Sequence, residues 1–267
     1  IRTVLSQAGL LQFAEAIDKL LSAVSSTAEA SDVPHLALAQ RAIGVLGNYI
    51  NEIAAGAPHQ PLRLYPLYRE LVTARNAEAP QPSELFFPDL SIRLELGATA
   101  ALAAPERASH EARALRAHFE KGLLAWLRKP QDVAGPQEML RAVRRIEQLQ
   151  QVPATRSFWW SAIAFFEGLA TQAIPADRLS QRLCRRIDAQ MRRLLEGSQV
   201  VAERLIRDVL YFVAANQIST PHAQSVRQAY KLDRMLPDAA AELSDTYRQP
   251  LVLRVRESLE QCKEFWN

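Results

Sequence analysis

Apolar residues recur at intervals of three and four along most of this chain, the spacing that puts them on one face of an α-helix. Residues 10–24, LLQFAEAIDKLLSAV, place Leu10, Phe13, Ala14, Ile17, Leu20, Leu21 and Val24 on a single stripe. A polar stretch follows, with Asp32 as the expected N-cap of a second helix. In that helix Leu36, Ala39, Ile43, Leu46, Ile50 and Ile53 share a face, and Gly56 supplies a stop. A shorter helix is expected within residues 61–75, with Pro66 tolerable only in its first turn. Residues 1–77 therefore read as an antiparallel helical hairpin or bundle.

Residues 78–92, EAPQPSELFFPDLSI, break the pattern: three prolines surround Leu85, Phe86, Phe87 and Leu90. The segment reads as a linker with an apolar anchor. Either its side chains pin the connector into a groove, or they form a docking peptide for another chain. Helical periodicity resumes within 106–129, ending before Pro130, and again in 136–151 with Pro136 at the start. Residues 154–173 are apolar nearly all round, as for a central buried helix. Further helices are expected within 176–197, 198–216 and 221–232, and a last one from about Pro250. Two-residue alternation typical of strands is nearly absent. The expected class is all-α, built of antiparallel helical bundles: a module over 1–77, the linker 78–92, and a larger helical domain over 93–267.

Composition supports that class and narrows the chemistry. Hydrophobic residues make up 48% of the chain, enough for a sizeable core, and only 9 residues are glycine. The net charge is only +3, so the basic excess does not by itself imply nucleic acid. Cys184 and Cys262 lie far apart, without metal or redox spacing, and fit a reducing cytoplasm. The most apolar stretch, 158–174, contains Glu167 and is too short to span a bilayer, and no secretory signal is read, so no membrane insertion is expected. The chain begins without Met, already helix-like, and ends without a stop signal, as if both ends were cut from a longer polypeptide.

His118, Lys121 and Gly122 spell H-x-x-K-G, the core of a histidine phosphotransfer motif. On such a helix Leu115, Phe119, Gly122, Leu123 and Trp126 form the buried stripe and His118 lies at its edge. The motif's second glycine is missing: Arg128 stands there, and Leu123, Leu124 and Trp126 crowd the turns between. His118 therefore reads first as a boundary histidine on an amphipathic helix, with phosphorylation as the alternative. Near the N-terminus, Arg2 and Gly9 occupy the lysine and second-glycine positions of the same motif, Thr3 replaces the first glycine, and the histidine position precedes the chain. His35, His59, His110 and His222 show no metal-ligand spacing with carboxylate or thiol support, and no phosphate loop or catalytic constellation appears. No metal, cofactor or small-molecule substrate is expected.

The main surface feature is an arginine stripe. Arg178, Arg182, Arg185, Arg186, Arg192 and Arg193 fall within roughly 100° around one helix, with Leu179, Leu183, Ile187 and Leu194 opposite. It reads either as a solvated face partly paired with carboxylates or as the landing site of an acidic partner. Nucleic acid fits less well, because no aromatic interleaving accompanies the arginines.

Several stretches taken in order carry a resemblance: GLLQFAEAIDKLL, LYPLYRELVTARN, SELFFPDLS, KGLLAWLR, WWSAIAFFEGLA, RLIRDVLYFVA and YKLDRMLP. Together they resemble the N-terminal region of the CheA-like hybrid histidine kinases of type IV pilus chemosensory systems (ChpA/PilL type), a region shared with FimL-type scaffold proteins. The resemblance covers nearly the whole chain, and LFFPDLS and LIRDVLYFVA are its most specific parts. It implies a cytoplasmic signalling scaffold in a pathway controlling pilus extension, retraction and twitching. It further implies a phosphotransfer-like first module, a FimL-like helical domain from about residue 92, and no catalytic residue in this fragment. The implied partners are response-regulator receiver domains, whose phosphorylation pockets are acidic, or polar pilus-hub proteins.

Overall fold

The computed structural model describes residues 9–27, 33–92, 94 and 105–237. All regular structure among them is helical: nine α-helices and three short 3-10 turns, with no strand. The described residues fall into two compact units, one within residues 1–87 and 235–267, the other within residues 88–234.

In the first unit α1 (Leu10–Thr27), α2 (Val33–Ala54) and α3 (Tyr65–Thr73) pack on one another. Gly9 opens α1 with a φ of 93°, and a Cβ there would come within 2.8 Å of Pro61. Only glycine suits that backbone and that approach. The second-glycine position of the N-terminal motif is therefore itself not in a helical conformation. Leu10, Phe13, Ala16, Ile17 and Leu20 of α1 are buried against Leu67, Tyr68 and Leu71 of α3 and the inner face of α2. Each such leucine, isoleucine or phenylalanine side chain contributes about 1.5–3 kcal/mol when buried. Pro66 lies in the first turn of α3, where its missing N–H costs nothing.

The face of α2 differs from the expected one. Ala39, Ala42, Val45 and Tyr49 are buried, while Leu36 and Ile43 are 45% and 55% exposed. Only Ala39 belongs to the expected stripe and is buried; Leu46, Ile50 and Ile53 pack at its margin. The outward side carries Leu36, Gln40, Ile43, Gly44 and Gly47 and no charge. Leu85 of the proline-rich segment sits in the core of this unit, and Phe86 is buried. The N-cap expected at Asp32 and the helix expected from Pro250 lie outside the described residues.

The second unit contains α4 (Pro105–Arg128), α5 (Ala134–Leu149), α6 (Pro153–Ala170), α7 (Arg178–Leu195), α8 (Glu203–Ala215) and α9 (Pro221–Ala229). α6 is its centre: Phe158, Trp159, Ala162, Ala164, Phe165 and Phe166 are at most 1% exposed, on all sides of the helix. It touches α5, α8 and α9. Phe166 meets Phe119 of α4 edge-on, with ring centroids 5.4 Å apart, and Phe165 meets Phe212 of α8 at the same distance.

The carboxylates drawn into this core are satisfied, whereas the buried indole N–H of Trp159 finds no hydrogen-bond partner among the described residues. Glu167, 5% exposed, accepts from Arg144 Nη2 at 2.7 Å and from the hydroxyl of Thr220, the N-cap of α9. Glu147 accepts from Arg156 Nε at 2.7 Å. α4 and α5 cross so closely that Gly122 and Gly135 face each other; a Cβ on Gly135 would lie 2.6 Å from the Gly122 carbonyl oxygen.

Candidate partner-binding surface

α7 begins at a capping box. Asp177 Oδ1 accepts from the Ser180 N–H at 2.8 Å, and the Asp177 N–H donates to Ser180 Oγ at 3.0 Å. From there Ser180, Leu183, Cys184, Ile187, Gln190 and Met191 turn inward. Leu183 and Ile187 occupy the expected apolar face. Leu179, expected beside them, is 39% exposed at the margin of that face, because the buried sector is centred on Ile187 and Cys184. Burial also pushes the Cys184 thiol far above its ordinary range, so it is inert as a nucleophile.

The outer side is basic. Arg178, Arg182, Arg185, Arg192 and Arg193 are exposed and Arg186 is half-buried. Among the described residues Arg178, Arg185, Arg192 and Arg193 enter no ion pair. The one acid within the helix, Asp188, is engaged by Arg116 of α4, whose Nε lies 3.2 Å from its Oδ1. Arg186 is paired with Asp208 of α8, a carboxylate only 2% exposed.

Two residues of this surface were not found by reading the stripe along one helix. Asp208 anchors the arginine side of α7 to α8, and Arg204 adds a further guanidinium one turn before it. Burial, and then the charges of Arg204 and Arg182, hold the Arg186 guanidinium below its ordinary range. The sequence signal was the R-x-x-x-D spacing of Arg204 and Asp208 on an amphipathic helix, which puts both on one face.

His118 and Lys121 are exposed on α4, one turn apart, beside exposed Ala114, Ala117 and Ala125. Phe119, Leu123 and Trp126 are buried and turn away from that face, and Leu115 is half-buried. Gly122, the motif's glycine, faces α5: a Cβ there would stand 2.8 Å from the Gly135 carbonyl oxygen. Helix crossing alone thus requires that glycine. His222 is held within the second unit, its Nε2 2.8 Å from the Trp160 carbonyl oxygen, and His59 Nδ1 lies 3.2 Å from Tyr49 Oη in the first. Among the described residues no group of three or more His, Cys, Asp or Glu could hold a metal ion, and no helix is long and apolar enough to cross a membrane.

The FimL scaffold protein second domain matches residues 104–243, the stretch from α4 past the end of α9. Scaffold protein FimL of Pseudomonas aeruginosa is 26% identical over 280 aligned positions, covering 96% of this chain and 49% of that protein. The chain thus spans about half the length of the curated relative it matches. No solved structure matches it. Because the matched stretch is more than half of the chain and includes every helix of the second unit, the protein belongs to the FimL scaffold second-domain family.

Proposed function

We propose that this chain is a non-catalytic scaffold region in two-component phosphorelay signalling that controls type IV pili and twitching motility. The observation that carries this reading is the family match over residues 104–243. The curated relative is itself described as a scaffold protein. The ordered stretches from GLLQFAEAIDKLL to YKLDRMLP further support placement in a CheA-like hybrid kinase of the ChpA/PilL type or in a stand-alone FimL-like protein. In this reading residues 1–77 are a phosphotransfer-like helical module. Residues 78–92 are the linker anchored by Leu85, Phe86, Phe87 and Leu90, and 93–267 form the scaffold domain. The site of action is the cytoplasm. The partners are receiver domains or polar pilus-hub proteins, met through the arginine face of α7.

The test is to mix the purified chain with a phosphorylated cognate receiver domain, measuring both complex formation and acid-labile phosphate on the chain. Binding without transfer is expected. Failure to bind either a receiver domain or a pilus-hub protein would count decisively against scaffolding. A second reading, phosphotransfer through His118, is favoured by the exposure of His118 and Lys121 on one open face of α4. Labelling that disappears in His118→Gln would establish it in place of the first.

A further inference from the structure

We infer that the outer face of α2 pairs with the same face of a second copy of this chain. The two helices lie antiparallel about a two-fold axis between Ile43 and Gly44. This goes beyond the scaffold reading and does not depend on which partner the scaffold holds.

A helix at a protein's surface ordinarily turns charged residues to water. Every exposed residue of α2 is uncharged, and large apolar side chains stand among them: Val33 is 69% exposed and Ile43 55%. The helix's charged side chains lie at the margins of that face and are engaged within the first unit, Arg41 with Glu70 and Glu52 with Arg63. The face therefore offers nothing to an acidic or a basic partner. Two copies of it meet without the like-charge contacts that block association.

Gly44 and Gly47 point to close approach by another backbone. Both are exposed in the middle of α2, and a Cβ at either would meet nothing within 4 Å. The chain's own packing does not require them, unlike Gly122 and Gly135, and glycine is the poorest ordinary helix former. A helix laid across the pair can come close. In the antiparallel arrangement Ile43 of each copy meets Gly44 of the other, and Gln40 meets Gly47, so the large central side chains fall on glycines. A parallel pair would set Ile43 against Ile43 and leave the glycines facing each other. Antiparallel packing also opposes the helix dipoles. Such self-matching is what a two-fold interface needs. The face is about 30 Å long and about 10 Å wide, less than the roughly 800 Å² per partner of a standard interface, so the pairing is reversible.

The experiment is sedimentation velocity of the full chain from low micromolar to several hundred micromolar, with circular dichroism checking the fold of each variant. A monomer–dimer equilibrium is expected. Ile43→Lys sets like charges beside the axis and should weaken it more than about tenfold. Gly44→Ala/Gly47→Ala makes the face more apolar but fills the space for close approach, and should weaken it about fivefold. Val200→Lys, at a site 75% exposed in the second unit, should leave it unchanged. Register is read by mixing Gln40→Cys chains with Gly47→Cys chains, both in a Cys262→Ser background; oxidation should join unlike chains in preference to like ones. A chain that stays monomeric or forms open-ended aggregates would overturn the inference. So would tighter association of the double-alanine variant, an equal loss from Val200→Lys, or a preference for like cross-links.

Discussion

Replacing Gly122 by alanine separates packing from helix propensity. In the middle of α4 the substitution should favour the helix by about 1 kcal/mol, since glycine is the poorest ordinary helix former. The added methyl, however, meets the Gly135 carbonyl oxygen at 2.8 Å, Glu138 Cβ at 3.0 Å and Met139 Cγ at 3.1 Å, where ordinary contact begins at 3.4 Å. The Met139 side chain can yield, but Glu138 Cβ is fixed by its backbone and the carbonyl belongs to the main chain of α5. The two helices must therefore separate by several tenths of an ångström. Overpacking costs about 1–3 kcal/mol, and a clash with main chain takes the upper part of that range, about 2–3 kcal/mol, so after the propensity gain the net loss is about 1–2 kcal/mol. Thermal unfolding followed by the fluorescence of Trp126, Trp159 and Trp160, in a Trp266→Phe background, reads this unit. The midpoint temperature should fall by about 2–4 °C for each kcal/mol. The control is Gly44→Ala on the outer face of α2, where nothing lies within 4 Å. There the same substitution should stabilise by about 0.5–1 kcal/mol. A Gly122→Ala protein as stable as its parent would refute the argument that this glycine serves the helix crossing.

Three further outcomes follow from buried groups. Asp208→Asn leaves Arg186 facing Arg182 and Arg204 without its carboxylate; stability should fall by roughly 2 kcal/mol, less at high salt, and an unchanged urea midpoint would sink the account. Tyr49 is buried and its hydroxyl pKa is pushed from 10.0 to about 12. Stability from keeping it neutral is full below pH 10.0 and is lost as pH rises through about 12, so Tyr49→Phe should flatten the alkaline unfolding curve of the first unit, as followed by circular dichroism. Burial raises Tyr65 in the same direction. Cys184 should resist a thiol reagent in native Cys262→Ser protein and react fully in urea; rapid native labelling would contradict its enclosure.

Helix content was legible because period, proline and capping signals agree along most of the chain. α6 read as central because apolar residues surround it, and the structure buries it on every side. The face of α2 was not legible, for a physical reason. Leu36 and Ile43 outweigh Ala39 and Ala42 in hydrophobicity, yet the inward face must lie close to α1 and α3, and small side chains allow that approach. α8 starts at Glu203, after a longer loop than the periodicity suggested, because Gln199 is held by Thr155 and Val200 by Gln190 through their carbonyl oxygens. The arginine stripe of α7 was plain in the sequence. Its continuation through Arg204, and the fixing of Arg186 by Asp208, depend on which helix lies alongside, and a one-dimensional pattern does not carry that.

The order in which the helices of the second unit meet bears on how quickly it forms. Its most extensive pairings, α4 with α5 and α5 with α6, join neighbours in the chain across short turns. Closing such loops costs little entropy, and chains dominated by near-neighbour contacts fold fast. The three-helix block can assemble during synthesis before α8 and α9 emerge. Thr220, which ties the start of α9 back to Glu167 of α6, then acts as a late latch. Changes at the Gly122–Gly135 crossing should slow folding, whereas loss of the Thr220 hydroxyl should mainly hasten unfolding, so the two arms of a chevron plot would separate early from late contacts.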